Sequence, residues 1–449
     1  MKNKAKLTVN PVGKTIFKLA FPMMFGMLSI VIYNLADTFF VGKLGKEQLA
    51  ALTFTFPIIM ALGSISFGLG MGASTVISKA VGAGDHERVK RLTSDILLLA
   101  VILAAIFALT GILTIEVLFH ALGAEGKILE YVKEYMYIWY LGCVFVVVPM
   151  VGNNTIRALG DTKTPSFVMT FSGVANFLLD PLLIFGLGPV PAFGVRGAAI
   201  ATVLARASTF VVAVYVLYHR EKILSFRYPH ISKIIESWKS MLVIAVPEAF
   251  TRMVHPVANG IITKMVAGYG ASAVAGFGVA TRVEFFALIP ITSVSSIMGP
   301  FTGQNLGAGK IDRVKKGVVI SNIYSILSSL FMFGLFFVFS SQISSIFNSN
   351  AEVIESSSYY MKIVSAAYGF YGIVLISGAV LNVFGKPVLA SMLNLIQMMI
   401  LYIPIAYILS QNIGLKGIFF GRALAFFLTS ILSVIIINKI IKKRELVND

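Results

Sequence analysis

Apolar runs long enough to cross a bilayer alternate with short polar stretches along this chain, and the alternation occurs twelve times. The runs fall at about 15–41, 48–78, 93–118, 131–153, 166–188, 193–218, 240–267, 272–301, 317–343, 356–381, 388–411 and 416–441. A helix needs about 20 predominantly apolar residues to span a hydrocarbon core, so the pattern predicts an all-α integral membrane protein with twelve transmembrane helices. Six lie on each side of the polar stretch His219–Lys239.

The pattern also repeats. Pro22–Arg91 laid over Pro247–Lys316 at an offset of 225 aligns Pro22 with Pro247, Gly45 with Gly270, Gly82 with Gly307, Gly84 with Gly309 and Arg88 with Arg313. The repeat resumes at Ala158-Leu-Gly-Asp161 against Val383-Phe-Gly-Lys386, and at Gly194-Val-Arg-Gly197 against Gly414-Leu-Lys-Gly417. Six is an even number of spans, so both copies keep the same orientation and are expected to be related by an axis along the membrane normal. The expected division is an N-lobe over 1–218, a cytoplasmic linker over 219–239 and a C-lobe over 240–449. Duplicated helical bundles of this kind are a common architecture of alternating-access carriers. Small residues crowd the second run, as in Gly63-Ser-Ile-Ser-Phe-Gly-Leu-Gly-Met-Gly-Ala-Ser74, where they let helix backbones approach closely in lipid.

Composition agrees, with 57% hydrophobic and 13% charged residues against about 25% charged in an average soluble domain. The net charge of +17 would suit nucleic acid, but its distribution argues otherwise. Basic residues gather at both termini and in the even-numbered connections, for example Lys79, Arg88, Lys90 and Arg91 after the second run and Lys310, Arg313, Lys315 and Lys316 after the eighth. The connections after the third and ninth runs carry Glu125 and Glu130, and Glu352 and Glu355. By the positive-inside rule both termini are cytoplasmic, and the charge reports topology. The Lys-rich start and first apolar run are too long for a signal peptide and read as a retained span. Cys143 is the one cysteine, so no disulfide within the chain and no Cys-based metal site can form. Gly-x-x-x-x-Gly-Lys-[Ser/Thr] is absent, which argues against direct ATP use. The five histidines are scattered without ligand spacing, which argues against a metal-dependent membrane transferase or hydrolase. No cofactor is expected.

Carboxylates within apolar spans are costly and mark functional positions. Asp37 lies in the first run and Asp180 in the fifth. Tyr33, Asn34 and Asp37 share one helical face by their i, i+3, i+4 spacing, and Asn176 and Asp180 form a second such pair. Pro181 supplies no backbone donor, leaving a carbonyl near Asp180 for a cation or proton. The repeat places Ile262 opposite Asp37, and the eleventh run has Gln397 and Tyr402 but no carboxylate, so the bundle itself does not require these acids. The alternative places Asp37 at the outer membrane edge, since the residues from Lys18 to Asp37 climb roughly 28 Å at about 1.5 Å each. Asn153 and Arg157 share a face at the end of the fourth run, Arg157 reading also as a cytoplasmic anchor. In the second half Glu248, Arg252, His255, Arg282 and Glu284 lie in or near the membrane. Glu248 and Arg252, four apart, suit a pair within one helix, and Glu248, Arg252 and Glu284 form a candidate C-lobe site. Tyr135, Tyr137, Trp139 and Tyr140 read as cavity lining or as an interfacial belt.

Asn34-Leu-Ala-Asp37-Thr-Phe-Phe-Val-Gly42, Ala158-Leu-Gly-Asp161, Asn176-Phe-Leu-Leu-Asp180-Pro181 and Gly197-Ala-Ala-Ile-Ala-Thr202 resemble the multidrug and toxic compound extrusion (MATE) family, and its DinF-like branch, over essentially the whole chain. The resemblance implies two six-helix lobes in a V and export of amphipathic, mostly cationic drugs or toxins in exchange for H+ or Na+. It implies an ion-coupling site of Asp37, Asn176 and Asp180, with Tyr33, Asn34, Tyr135, Asn153 and Thr202 in its hydrogen-bond network and substrate cavity. Na+ would sit at Asp37 and Asp180, with no structural metal elsewhere. A NorM-like C-lobe sodium site uses an acid in the tenth helix, and Met361–Val380 has none. The implied setting is the inner membrane of a prokaryotic cell, as a multi-pass monomer partnered by lipid and not by nucleic acid. A flippase of lipid-linked precursors is the nearest alternative and would carry more cationic residues in its cavity; an integral-membrane transferase is the next.

Overall fold

A computed structural model describes residues 5–225 and 231–448, except the side chains of 34–36 and 447–448. Helices α1 (Val12–Gly42), α2 (Lys46–Gly82), α3 (His86–Ala121), α4 (Gly126–Leu141), α5 (Val144–Ala158), α6 (Lys163–Phe185) and α7 (Val195–Tyr215) make up the first half. The second half contains α8 (Ile231–Ala267), α9 (Ala271–Ala287), α10 (Ile289–Gly307), α11 (Ile311–Phe347), α12 (Ala351–Ser365), α13 (Tyr368–Val383), α14 (Pro387–Leu395), α15 (Ile403–Ile413) and α16 (Leu415–Asn448). Leu187 and Val190 form an isolated antiparallel bridge. Among the described residues nine helical stretches are long and apolar enough to cross a membrane, and three bent helix pairs bring the number to twelve when each pair counts as one span.

The fourth, eighth and tenth runs, each counted as one span in the sequence, are bent helix pairs in the structure. α4 and α5 meet at 46°, α9 and α10 at 50°, and α12 and α13 at 55°. Pro290, near the start of α10, removes the amide that would have continued the preceding helix. The other two breaks fall at Gly142-Cys143 and Ala366-Ala367, within one residue of each other at the repeat offset of 225.

Packing divides the chain into two compact units, one comprising Pro22–Ala249 and the other Lys6–Phe21 with Phe250–Asp449. α1 and α8 therefore each contribute residues to both. Within the first unit a core runs through Leu69, Ala73, Ile96, Trp139, Val151 and Ala245; within the second, another runs through Ile262, Phe277, Ile291, Tyr368 and Phe419. Glycines mark the repeat inside these units. Gly194 and Gly414 precede α7 and α16 with φ of 57° and 64°, a region open to glycine at little steric cost. Three residues later, Gly197 lies against the Leu183 carbonyl of α6 and Gly417 against the Leu409 carbonyl of α15. Those two carbonyls are 226 apart, whereas the buried Ser166 and Ser391 upstream are 225 apart. Between them, Ile396–Tyr402 forms a π-helical turn, which accommodates one extra residue without breaking the span.

In the second unit the chain ahead of α1 is fastened to the turn between α10 and α11. The Leu7 amide donates to Gln304 Oε1 at 3.1 Å, and the Leu7 carbonyl accepts from Asn305 Nδ2 and Arg313 Nη2, both at 3.2 Å. Arg313 Nη2 also donates to the Asn10 carbonyl at 2.6 Å, and Lys310 Nζ to the Thr8 carbonyl at 3.0 Å. Leu7 itself is buried.

Candidate functional site

In the first unit α1 carries Tyr33 and Asp37, α4 carries Tyr135, α6 carries Asn176 and Asp180, and α7 carries Thr202. The one-turn spacing on α6 brings Asn176 Nδ2 to Asp180 Oδ1 at 3.2 Å. Both residues are fully buried, and Tyr135 and Thr202 nearly so. Asp37 is partly buried, and its Oδ1 is sealed and unpartnered. Asp37 is close enough for its charge to act on Asp180, and both acids act on Tyr33 and Tyr135. Thr202 lies within reach of both tyrosines, although its hydroxyl completes no hydrogen bond. Asp180 Oδ2 and Asn176 Oδ1 are likewise buried without a partner. Asp180 thus has one amide donor and a second oxygen without a partner, and Asp37 has a sealed oxygen without one, a deficit that a proton or a small cation would fill.

Six of the expected residues converge here. Asn34 lies outside the residues whose side chains are described. Asn153, on α5, has a buried and unpartnered Oδ1. Its neighbour Asn154 is the residue engaged with Arg157, whose Nη2 donates to Asn154 Oδ1 at 2.5 Å. A further member escaped the sequence reading: the Arg206 guanidinium lies 5.4 Å from the centroid of the Tyr33 ring. Arg206 follows Thr202 by one helical turn inside the sixth apolar run, and a base at that depth is a signal the sequence offered.

The second unit holds a different arrangement. Glu284, on α9, accepts from Arg422 Nη2 of α16 at 2.8 Å and from the Tyr360 hydroxyl of α12. The rings of Phe426, Tyr360 and Tyr402 lie 5.5, 5.6 and 5.9 Å from the guanidinium. Arg422 Nε, the Tyr368 and Tyr402 hydroxyls and both amide atoms of Gln397 are buried without partners. Glu284 therefore answers to Arg422, 138 residues later. Glu248 and Arg252 sit four apart on α8, with packing dividing the helix between Ala249 and Phe250. No group of three or more His, Cys, Asp or Glu suited to a metal ion occurs among the described residues.

A family model described as MatE matches residues 22–182 and 247–408, and the two matched stretches begin at the prolines where the repeat begins. A protein of Shewanella oneidensis named FAD transporter is 36% identical over 93% of this chain and 92% of its own length. A probable multidrug resistance protein NorM of Thermotoga maritima is 26% identical over 93% of this chain and 90% of its own. Among solved structures, the Vibrio cholerae MATE transporter VcmN in its bent form is similar with a TM-score of 0.92 and 27% identity, covering 97% of this chain and 98% of that one.

Proposed function

The chain belongs to the MatE family of membrane transporters, and on that premise we propose that it is a secondary antiporter that exports amphipathic small molecules in exchange for H+ or Na+. The observation that carries the reading is the pair Asp37 and Asp180 in one unit, each with a buried carboxylate oxygen that has no partner. A gradient biases alternating access only through a group whose cation affinity differs between the access states, and these carboxylates are suited to that role. Asn176 positions Asp180, while Tyr33, Tyr135 and Thr202 supply hydroxyls to whichever cation is held. Both termini and the basic connections face the cytoplasm. Proteoliposomes with separately imposed pH and sodium gradients test the reading. One gradient should drive efflux of a cationic dye, and Asp180→Asn should abolish the coupled component by more than tenfold while leaving dye binding. Full gradient-driven transport by that variant removes Asp180 from the mechanism.

A second reading of the cargo comes from the 36% identity to the FAD transporter of Shewanella oneidensis: the substrate is flavin adenine dinucleotide or a flavin like it. The same vesicles loaded with FAD decide between the two cargoes. Gradient-dependent loss of FAD with no movement of cationic dye supports the flavin, and the reverse pattern supports the drug.

A further inference from the structure

The repeat assigns each residue around the Asp37 and Asp180 site a counterpart in the second unit. The offset of 225 pairs Tyr33 with Ala258, Asp37 with Ile262 and Tyr135 with Tyr360. From the last residue of the π-helical turn onward the offset of 226 pairs Asn176 with Tyr402 and Asp180 with Ala406, and the offset of 220 set by Gly197 and Gly417 pairs Thr202 with Arg422. Ala258, Ile262, Tyr360, Tyr402 and Ala406 are all buried. Both carboxylates have gone from these positions, and a guanidinium has arrived. It lies among Tyr360 and Tyr402, the counterparts of Tyr135 and Asn176. Its carboxylate, Glu284, comes from α9, where the first copy has Ile59.

We propose that Arg422 is a tethered cation: it permanently holds, in the second unit, the place that the exchanged H+ or Na+ visits in the first, and so confines ion coupling to one unit. This rests on the export reading. An arginine side chain keeps its proton in a protein, and its covalent anchor keeps the charge from leaving. Glu284, already neutralised, then has no differing cation affinity with which to sense a gradient. The titratable groups in electrostatic contact with the pair are His255 from α8, Tyr360 from α12, Tyr368 and Tyr371 from α13, and Tyr402 from the π-helical turn, and the charge of Arg252 on α8 acts on His255 and Tyr371. A bond that merely holds α9 to α16 would show the same geometry, so the test must read protonation.

Infrared difference spectra of the full chain in nanodiscs, between acid and alkaline pH and with or without Na+, report carboxyl groups that gain or lose a proton or cation. In the wild type no Glu284 band should titrate, and the intramembrane bands should be those removed by Asp37→Asn and Asp180→Asn. Arg422→Thr, which installs the first unit's residue, should add one carboxyl band that Glu284→Gln removes, while Arg422→Lys should leave the wild-type spectrum. A third titrating intramembrane carboxyl in the wild type overturns the proposal, as does a folded Arg422→Thr protein with no added band. Should Arg422→Thr fail to fold, Arg422→Gln keeps a donor against Glu284 and is read in the same way. Absence of the Asp37 and Asp180 bands would instead count against the export reading, leaving the Glu284 result to be judged by itself.

Discussion

Asp161 and Asp37 are both acids of the first unit, and their neighbours give them opposite characters. Asp161 lies in the turn before α6, where it accepts from the Thr164 amide at 3.1 Å and hydroxyl at 2.6 Å and pairs with Arg220. Burial raises its carboxyl, but the Thr164 and Arg220 contacts together outweigh this and hold it below the ordinary value of 3.8. Its contribution to stability is therefore complete above the unfolded value and is lost as pH falls through the lowered folded one. Arg220 is well exposed, so screening limits the loss in Asp161→Asn to about 1 kcal/mol or less at neutral pH. Melting curves in detergent should show the gap between wild type and variant closing below about pH 4. A gap that widens in acid contradicts the assignment. Asp37 has no such partners for Oδ1, and its repeat counterpart is Ile262. Asp37→Asn should cut gradient-driven efflux by more than tenfold, whereas Ile262→Asn should lower only folded yield. Equal transport defects at equal yield would mean that coupling does not reside in the first unit alone.

At the level of helices, Gly197 and Gly417 set how closely α7 and α16 approach the helices before them. A Cβ added at Gly197 would come within 2.9 Å of the Ile184 amide nitrogen, and one at Gly417 within 2.6 Å of that of Ser410. Both are backbone contacts that cannot rotate away. Gly197→Ala should therefore cost about 1–3 kcal/mol through overpacking, read as a lower melting temperature with a matching loss from Gly417→Ala. An unchanged melting temperature would show that these helix pairs can separate freely. Such crossings were legible because glycines recur at fixed offsets, and the twelve spans were legible from hydropathy alone. The breaks inside three of them were not: no proline or charged residue interrupts the chain at Gly142-Cys143 or Ala366-Ala367, and Pro57 sits within an unbroken α2 while Pro290 marks a break. The acids proposed for coupling on α1 and α6 were legible as carboxylates inside apolar spans, and Asn176 as a partner one turn from Asp180. Glu284 was legible as an intramembrane acid, but its pairing with Arg422 was not, since a bond between helices 138 residues apart leaves no spacing in the sequence to find.

For the molecule as a whole, the distribution of charge specifies a sidedness. Single cysteines at Glu125 and Glu352, in a protein freed of Cys143, should react with an impermeant reagent added outside cells, and one at Lys233 should react only after lysis. The reverse pattern overturns the topology. The second unit adds a consequence that concerns time. A ribosome delivers Leu7 well before Gln304, and the two are joined across 297 residues. The earliest part of the chain must therefore wait, already threaded toward the membrane, for a berth that has not yet been made. The gene can be cut but its second piece cannot be orphaned: residues 231–449 expressed alone would leave Gln304, Asn305 and Arg313 without the Leu7 and Asn10 backbone. That fragment should be degraded rapidly in a pulse-chase experiment and should persist when residues 1–225 are made in the same cell. If it proves equally long-lived by itself, the early segment is ornament to the late one. If it is rescued, assembly of this protein runs from its last helices back to its first residues, against the order of synthesis.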